Sequence, residues 1–225
     1  MSGHSKWSTI KRQKGTADAK RGATFTKLGN AIAIAAREGG SGDPESNFKL
    51  RMAIDKARAA NMPKENISRS IDRGLGKGET ISLEKAVYEG FGPGGAAIMV
   101  ETVSDNNTRT ASALRAIFAK HGGNLATPGS VSYLFERVGE IEVDNGDAIF
   151  EKAVEAGAID VEDDIVYTKP EDLHRISEAL GKTGSLAFRP NKGTIVEVSD
   201  TAKLYELLDA IEELDDVQNV YTNTR

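Results

Sequence analysis

The sequence predicts an α+β protein of three domains: a small N-terminal helical domain and two ferredoxin-like α/β domains, one inserted into the other. Three observations predict it. Apolar residues recur at helical spacing as far as Gly74, and beyond it strand-like and helix-like segments alternate. Residues 139–191 carry a complete βαββαβ order, and the segments flanking them add up to the same order again. Charge also changes sign along the chain: residues 1–80 hold 16 Lys+Arg against 8 Asp+Glu, whereas residues 81–225 hold 13 against 26.

Residues 1–22 read as a basic arm. Lys6, Lys11, Arg12, Lys14, Lys20 and Arg21 stand against Asp18, and no long apolar stripe is present. Three helices follow. The first covers about Thr24 to Arg37, with Phe25, Leu28, Ile32 and Ala35 on one face and Gly39-Gly40 ending it. The second begins after Asp43-Pro44 and aligns Leu50, Ile54 and Ala57. The third opens at Pro63, aligns Ile67 and Ile71, and stops at Gly74.

Leu75 to Thr80 reads as a linker. Ala96 to Val103 is a continuous apolar strand, and Asn107 can cap a helix whose inner face is Ala111, Leu114, Ile117 and Phe118. Val131 to Phe135 is expected to be a strand. Within residues 139–191 the expected strands are Ile141–Val143, Ala158–Val161, Ile165–Tyr167 and Leu186–Phe188, with helices at Ile149–Ala156 and Leu173–Leu180. A strand at Thr194–Val198, a helix through Leu204, Leu207, Leu208, Ile211 and Leu214, and a strand at Val217–Tyr221 complete the chain. The expected domains are residues 1–80, residues 81–138 with 192–225, and the inserted residues 139–191, which carry 5 basic and 13 acidic residues.

Composition excludes several classes of function. The 225 residues contain no cysteine, so disulfides, thiolate metal sites and a cysteine nucleophile are ruled out. His4, His121 and His174 lie far apart, no metal site is expected, and no cofactor is implied. The polar start lacks the apolar core of a signal peptide, and the Ala31–Ala36 run is too short to span a bilayer. A cytoplasmic protein without a membrane partner is expected. No G-x-S-x-G, P-loop or metalloprotease motif is present, so an enzyme and a small-molecule substrate are not expected.

Gly90-Phe91-Gly92-Pro93-Gly94-Gly95 matches G-x-G-x-x-G formally. The dinucleotide reading needs a helix N-terminus after the loop, yet a strand follows and Pro93 removes a donor. A tight entry turn into a strand is the better reading. Glu162-Asp163-Asp164 lacks the ligand alternation of a calcium loop and reads as a hairpin turn. Arg109, in the first turn of a helix where a cation is unfavourable, is a candidate anion contact.

The strongest signal is the basic arm. It holds the only Trp, Trp7, beside Lys6, with no apolar neighbour but Ile10. Stacking of Trp7 on a base, with Lys6, Lys11, Arg12 and Lys14 on phosphates, accounts for this composition. Lys20, Arg21 and Lys27 extend the basic run.

Ser2-Gly3-His4-Ser5-Lys6-Trp7, Asp18-Ala19-Lys20-Arg21-Gly22, Ala60-Asn61-Met62-Pro63, Tyr88-Glu89-Gly90-Phe91-Gly92-Pro93-Gly94-Gly95, Asp105-Asn106-Asn107-Thr108-Arg109-Thr110 and Val131-Ser132-Tyr133-Leu134-Phe135 resemble the YebC family, in that order. The resemblance runs from residue 2 to the Asp216–Tyr221 end. It implies three domains, the first helical, and a cytoplasmic location in bacteria or a mitochondrial one in eukaryotes. It also implies a regulator of gene expression, described in some members as a transcriptional regulator on DNA and in others as a translational activator at the ribosome.

The expected partner is therefore nucleic acid, DNA or RNA, with the transcription machinery or the ribosome behind it. The family's usual name favours transcription; the lack of an evident recognition helix favours RNA. A small-molecule-binding α/β module is the rival reading, to be recognised by an apolar pocket with converging polar groups between the α/β domains.

Overall fold

The structure, a computed structural model, describes residues 19–77 and 83–224, with side chains from Gly22 onward. Helix α1 (Ala19–Gly39) is followed by α2 (Phe48–Ala59) and α3 (Lys64–Gly74). The side chain of Asn47 caps α2 by accepting from the Leu50 amide at 3.1 Å, and its Nδ2 donates to the Ala35 carbonyl at 2.9 Å. One residue thus starts α2 and ties it to α1. Ile32, Ala36, Leu50, Ile54, Ala57 and Ile67 form the helical core. A Cβ on Gly74 would overlap the Ala33 carbonyl oxygen, so α1 and α3 pack backbone to backbone there.

The Ala31–Ala36 run is apolar all round because α1 is buried on two sides. Its second face, Ala33 and Ile34, packs on Leu83 and on Val103 of the first sheet, Leu83 lying just before that sheet's first strand.

That sheet has the order β3-β1-β2-β8, built from β1 (Glu84–Phe91), β2 (Ala97–Ser104), β3 (Asn124–Leu125) and β8 (Val217–Thr222), all neighbours antiparallel. Helices α4 (Asn107–Lys120) and α7 (Thr201–Glu212) cover one face through Leu114, Phe118, Leu204, Leu207 and Leu208. The second sheet comes entirely from the chain between β3 and α7. Its order is β5-β6-β4-β7, from β4 (Phe135–Glu142), β5 (Asp160–Glu162), β6 (Ile165–Thr168) and β7 (Gly184–Pro190). Helices α5 (Gly146–Glu155) and α6 (Leu173–Leu180) cover its outer face through Ala153, Leu173 and Ile176. Numbered within itself, this unit runs 4-1-3-2, the ferredoxin-like order.

The faces opposite these helix pairs pack on each other, α1 covering one end of the first sheet's face. Ala97, Met99 and Tyr221 of the first sheet meet Val138, Tyr167 and Ala187 of the second. The α/β part is therefore four layers, helices–sheet–sheet–helices. This explains the first half of β2, where Ala97 and Met99 face one core and Ile98 and Val100 another, so that Ala96–Val100 reads as an unbroken apolar run.

Several elements differ from the sequence expectation: α1 begins at Ala19, inside the residues read as the arm, β4 begins at Phe135 rather than Ile141, and β1 and β3 are not among the expected strands. Thr194–Val198 alternates like a strand but makes only a single bridge, Val196 with Thr224. The place it would take is filled by β1, which precedes β2 and pairs with it along its whole length. The first sheet keeps the ferredoxin-like spatial order with its third position supplied from the N-terminal side. Ser132–Leu134 is a 3-10 turn, and only Phe135 enters a strand. The cap of α4 is Asn106, one residue earlier than expected, because its side chain accepts from the Arg109 amide at 3.0 Å.

Candidate nucleic-acid interface

Five of the residues proposed from sequence, Lys6, Trp7, Lys11, Arg12 and Lys14, lie outside the described residues. Lys20 and Arg21 fall in the first turn of α1, and their side chains lie outside the described set too. Lys27 is two turns further along. Its Nζ donates to the backbone carbonyl of Glu212 at the C-terminus of α7. The last carbonyls of a helix have no partner within it and attract cations, so Lys27 ties the basic helix to the acidic end of the chain.

Arg109 is also engaged. Its guanidinium lies 2.6 Å from Asp105 and 3.5 Å from Asp216, and the hydrogen bond to Asp105 raises its pKa further. Asp216 accepts from Thr110 Oγ1 at 2.6 Å and Ser104 Oγ at 3.1 Å. Asn107 accepts the Tyr88 hydroxyl on its carbonyl and donates Nδ2 to Glu84, each at 2.9 Å. The polar Asp105–Thr110 segment is thus a hydrogen-bonded junction between β2, α4 and β8.

Sequence reasoning missed the connection between α2 and α3. The four residues Ala60–Pro63 join the helices, with Asn61 at φ 59 taking the left-handed conformation often given to glycine. Met62 is buried and pins the turn to the helical core. Beside the buried Ile67 and Ser70, helix α3 exposes Lys64, Glu65, Ser68 and Arg69. Neither Lys64 nor Arg69 makes an ion pair among the described residues. The available signal was the spacing of Ile67 and Ile71, which sets the inward face of Lys64–Gly74.

The glycine loop after Glu89 is the turn of the β1–β2 hairpin, with Gly94 at φ 70 and Gly95 at φ 78. No α-helix begins there; Pro93–Gly95 makes one 3-10 turn before β2, in keeping with the entry-turn reading. Beneath it, the buried Glu89 carboxylate accepts from the amides of Gly129 (2.8 Å), Val131 (2.7 Å) and Ser132 (2.9 Å). Burial alone would push its pKa up; the three backbone donors outweigh it and hold the carboxyl below its usual value. The next residue, Tyr133, is 70% exposed.

Among the described residues no cluster of three His, Asp or Glu has metal-binding geometry, and no helix is long and apolar enough to cross a membrane.

A basic helical unit joined to a pair of facing four-stranded antiparallel sheets defines the class of protein. Comparison with known proteins then identifies the particular family. Residues 5–77 match the N-terminal domain of TACO1/YebC proteins, and residues 83–224 match their second and third domains. The chain belongs to the YebC family. A relative from Rubrobacter xylanophilus is 50% identical over 99% of this chain and 95% of its own length. One from Persephonella marina is 50% identical over the same shares, and both are named probable transcriptional regulatory proteins. The crystal structure of a conserved hypothetical protein from Aquifex aeolicus is 44% identical and covers 94% of this chain and 93% of its own, with a TM-score of 0.86.

Proposed function

We propose that the chain is a non-enzymatic, cytoplasmic regulator of gene expression that binds nucleic acid through residues 1–80. The observation that carries this reading is the charge split: a basic helical part joined to α/β parts that are strongly acidic. The names of the relatives support the regulatory role. Lys6, Lys11, Arg12, Lys14, Lys20 and Arg21 supply phosphate contacts, and Trp7 stacks on a base. Lys27 and Arg109, whose charges already meet partners, position α1 and α4.

DNA is the favoured target. The four-residue turn between α2 and α3 has the length of a helix-turn-helix connection, and α3 presents Lys64, Ser68 and Arg69 outward. Ribosomal RNA is the alternative. Crosslinking in cells followed by sequencing of the attached nucleic acid separates them: promoter DNA supports the first, ribosomal RNA the second, and recovery of neither overturns both.

In vitro, replacing Lys6, Lys11, Arg12 and Lys14 together by alanine is expected to weaken binding to all sequences. It should also lower the salt slope by about one unit for each phosphate that is no longer neutralised. An unchanged slope in a fluorescence-anisotropy titration rules the arm out. Trp7→Ala is expected to cost on the order of 1–3 kcal/mol of binding without lowering Tm.

A further inference from the structure

A cleft of about 470 Å³ opens where all three parts of the chain meet. Helices α1 and α2 form one wall, β1, β2 and β8 a second, and β4 and β7 the third. Its volume is that of a small-molecule site. Met52, Ala53, Val87, Leu186 and Phe188 make much of its surface apolar.

Most of its charges are matched. Glu38 faces Lys49 at 3.1 Å and Lys85 at 2.7 Å. Glu101 receives Arg137 at 2.6 Å, Asn219 at 2.9 Å and the Tyr221 hydroxyl at 2.8 Å, and the Arg137 guanidinium lies 4.3 Å from the centre of the Phe188 ring. Two donors remain. Lys56 makes no ion pair among the described residues, although Glu142, Glu140 and Glu101 act on it at longer range. Gln218 Nε2 is buried and has no acceptor. A buried donor without an acceptor is rare and costs free energy. Gln218 Nε2 is such a donor; Lys56 is instead exposed to the cleft, the lining cation left without an ion pair among the described residues.

We infer that this cleft binds a small molecule with a flat apolar body and one acidic head, carboxylate or phosphate. The head accepts from Lys56, and the body lies against Met52, Leu186 and Phe188. Such a ligand touches the basic helices and both sheets at once. It acts as an effector that sets how the helical part is held against the acidic parts, and no chemical change in it is required. Its binding does not depend on the nucleic-acid reading.

The test uses the full-length protein and three probes of one shape: 2-naphthoate, 2-naphthyl phosphate and the neutral 2-naphthamide. Titrations followed by protein-observed NMR are expected to show saturable binding of at least one anion with Kd below about 1 mM, and the amide about tenfold weaker or more. The tighter of the two anions identifies the head group. Lys56→Met should weaken the anions about tenfold and leave the amide unchanged. Val87→Trp, at a position 43% exposed and therefore tolerant of bulk, should block all three while Tm stays at the parental value. The inference is overturned if neither anion saturates, if the amide binds as well as the anions, or if Lys56→Met has no effect on a chain shown by its melt to be folded.

Discussion

At the scale of single residues, two carboxylates do work that composition hides. Glu89 reads in the sequence as a charge inside a glycine-rich segment, yet it is buried beneath the loop of residues 129–132 and takes three of its amides. Asp216 ties down the Ser104–Thr110 segment through side chains instead, accepting from Ser104 Oγ and Thr110 Oγ1 and facing Arg109. Both connect segments more than 35 residues apart, and neither pairing is visible to periodicity, which sees only neighbours. Glu89→Ala leaves three amides without their acceptor and is expected to cost about 3 kcal/mol of stability. Urea unfolding at pH 7 measures it, and a loss under about 1 kcal/mol would show that water replaces the carboxylate. Glu89→Gln keeps the shape but swaps one acceptor for a donor, and should fall between parent and Glu89→Ala.

At the scale of elements, the segments with a single dominant period were legible. The three helices of the basic part, the βαββαβ series and the apolar start of β2 occur in the expected order, although α1 begins at Ala19 rather than Thr24 and β4 at Phe135 rather than Ile141. Strand β1 was not legible. Glu84–Phe91 interleaves charges with glycine, because its outward residues face solvent and its last residues sit under α4, where a Cβ on Gly90 would meet the Phe118 ring. Thr194–Val198 misled for the complementary reason: it has strand chemistry, but β1 already occupies the ladder it would join. The backbone approach of α1 to α3 at Gly74 was invisible as well, since a terminal glycine reads simply as a stop. Gly74→Ala must separate the helices or shift Ala33, and should cost about 1–3 kcal/mol. A thermal melt of that variant within 1 °C of the parent would refute the close packing.

On the scale of the whole molecule, the basic part is not free-standing. Ile34 is buried against the first sheet rather than within the helical core, and Lys27 reaches the end of α7. A fragment of residues 1–80 would expose that second face of α1. The part of the candidate interface proposed from sequence alone is the basic arm, whose charge is plain from composition. The parts it missed, Lys64 and Arg69, depend on which face of α3 is buried. Charge composition is legible in a sequence, but the direction a charge points is decided by packing.

The seam between the parts also makes stability depend on pH. Glu140 of β4 lies beside the cleft in the inter-sheet region. Burial, with Glu142 adding to it, raises its pKa from 4.5 to about 7, against the opposing pull of Lys56 and Arg189. The folded chain therefore keeps a proton on Glu140 between about pH 4.5 and 7, where the unfolded chain has lost it. More protons bound in the folded state means that stability falls as pH rises through that window and stays low above it. Glu89 works in the opposite sense. Its carboxyl is held low, so its contribution is present above the ordinary glutamate value and is lost only as pH falls through its depressed one. The two windows do not overlap, and the two effects can be read separately. Glu140→Gln cannot ionise. It is expected to match the parent near pH 4.5 and to exceed it by on the order of 1–2 kcal/mol at pH 8, flattening the limb between them. Urea unfolding at pH 5, 6, 7 and 8 measures the slope directly. Lys56→Met supplies the second arm: without the cation that favours its ionised form, Glu140 should release its proton later, and the falling limb should move to higher pH. Parallel pH profiles for the parent and Glu140→Gln would mean that water in the seam already solvates the carboxylate.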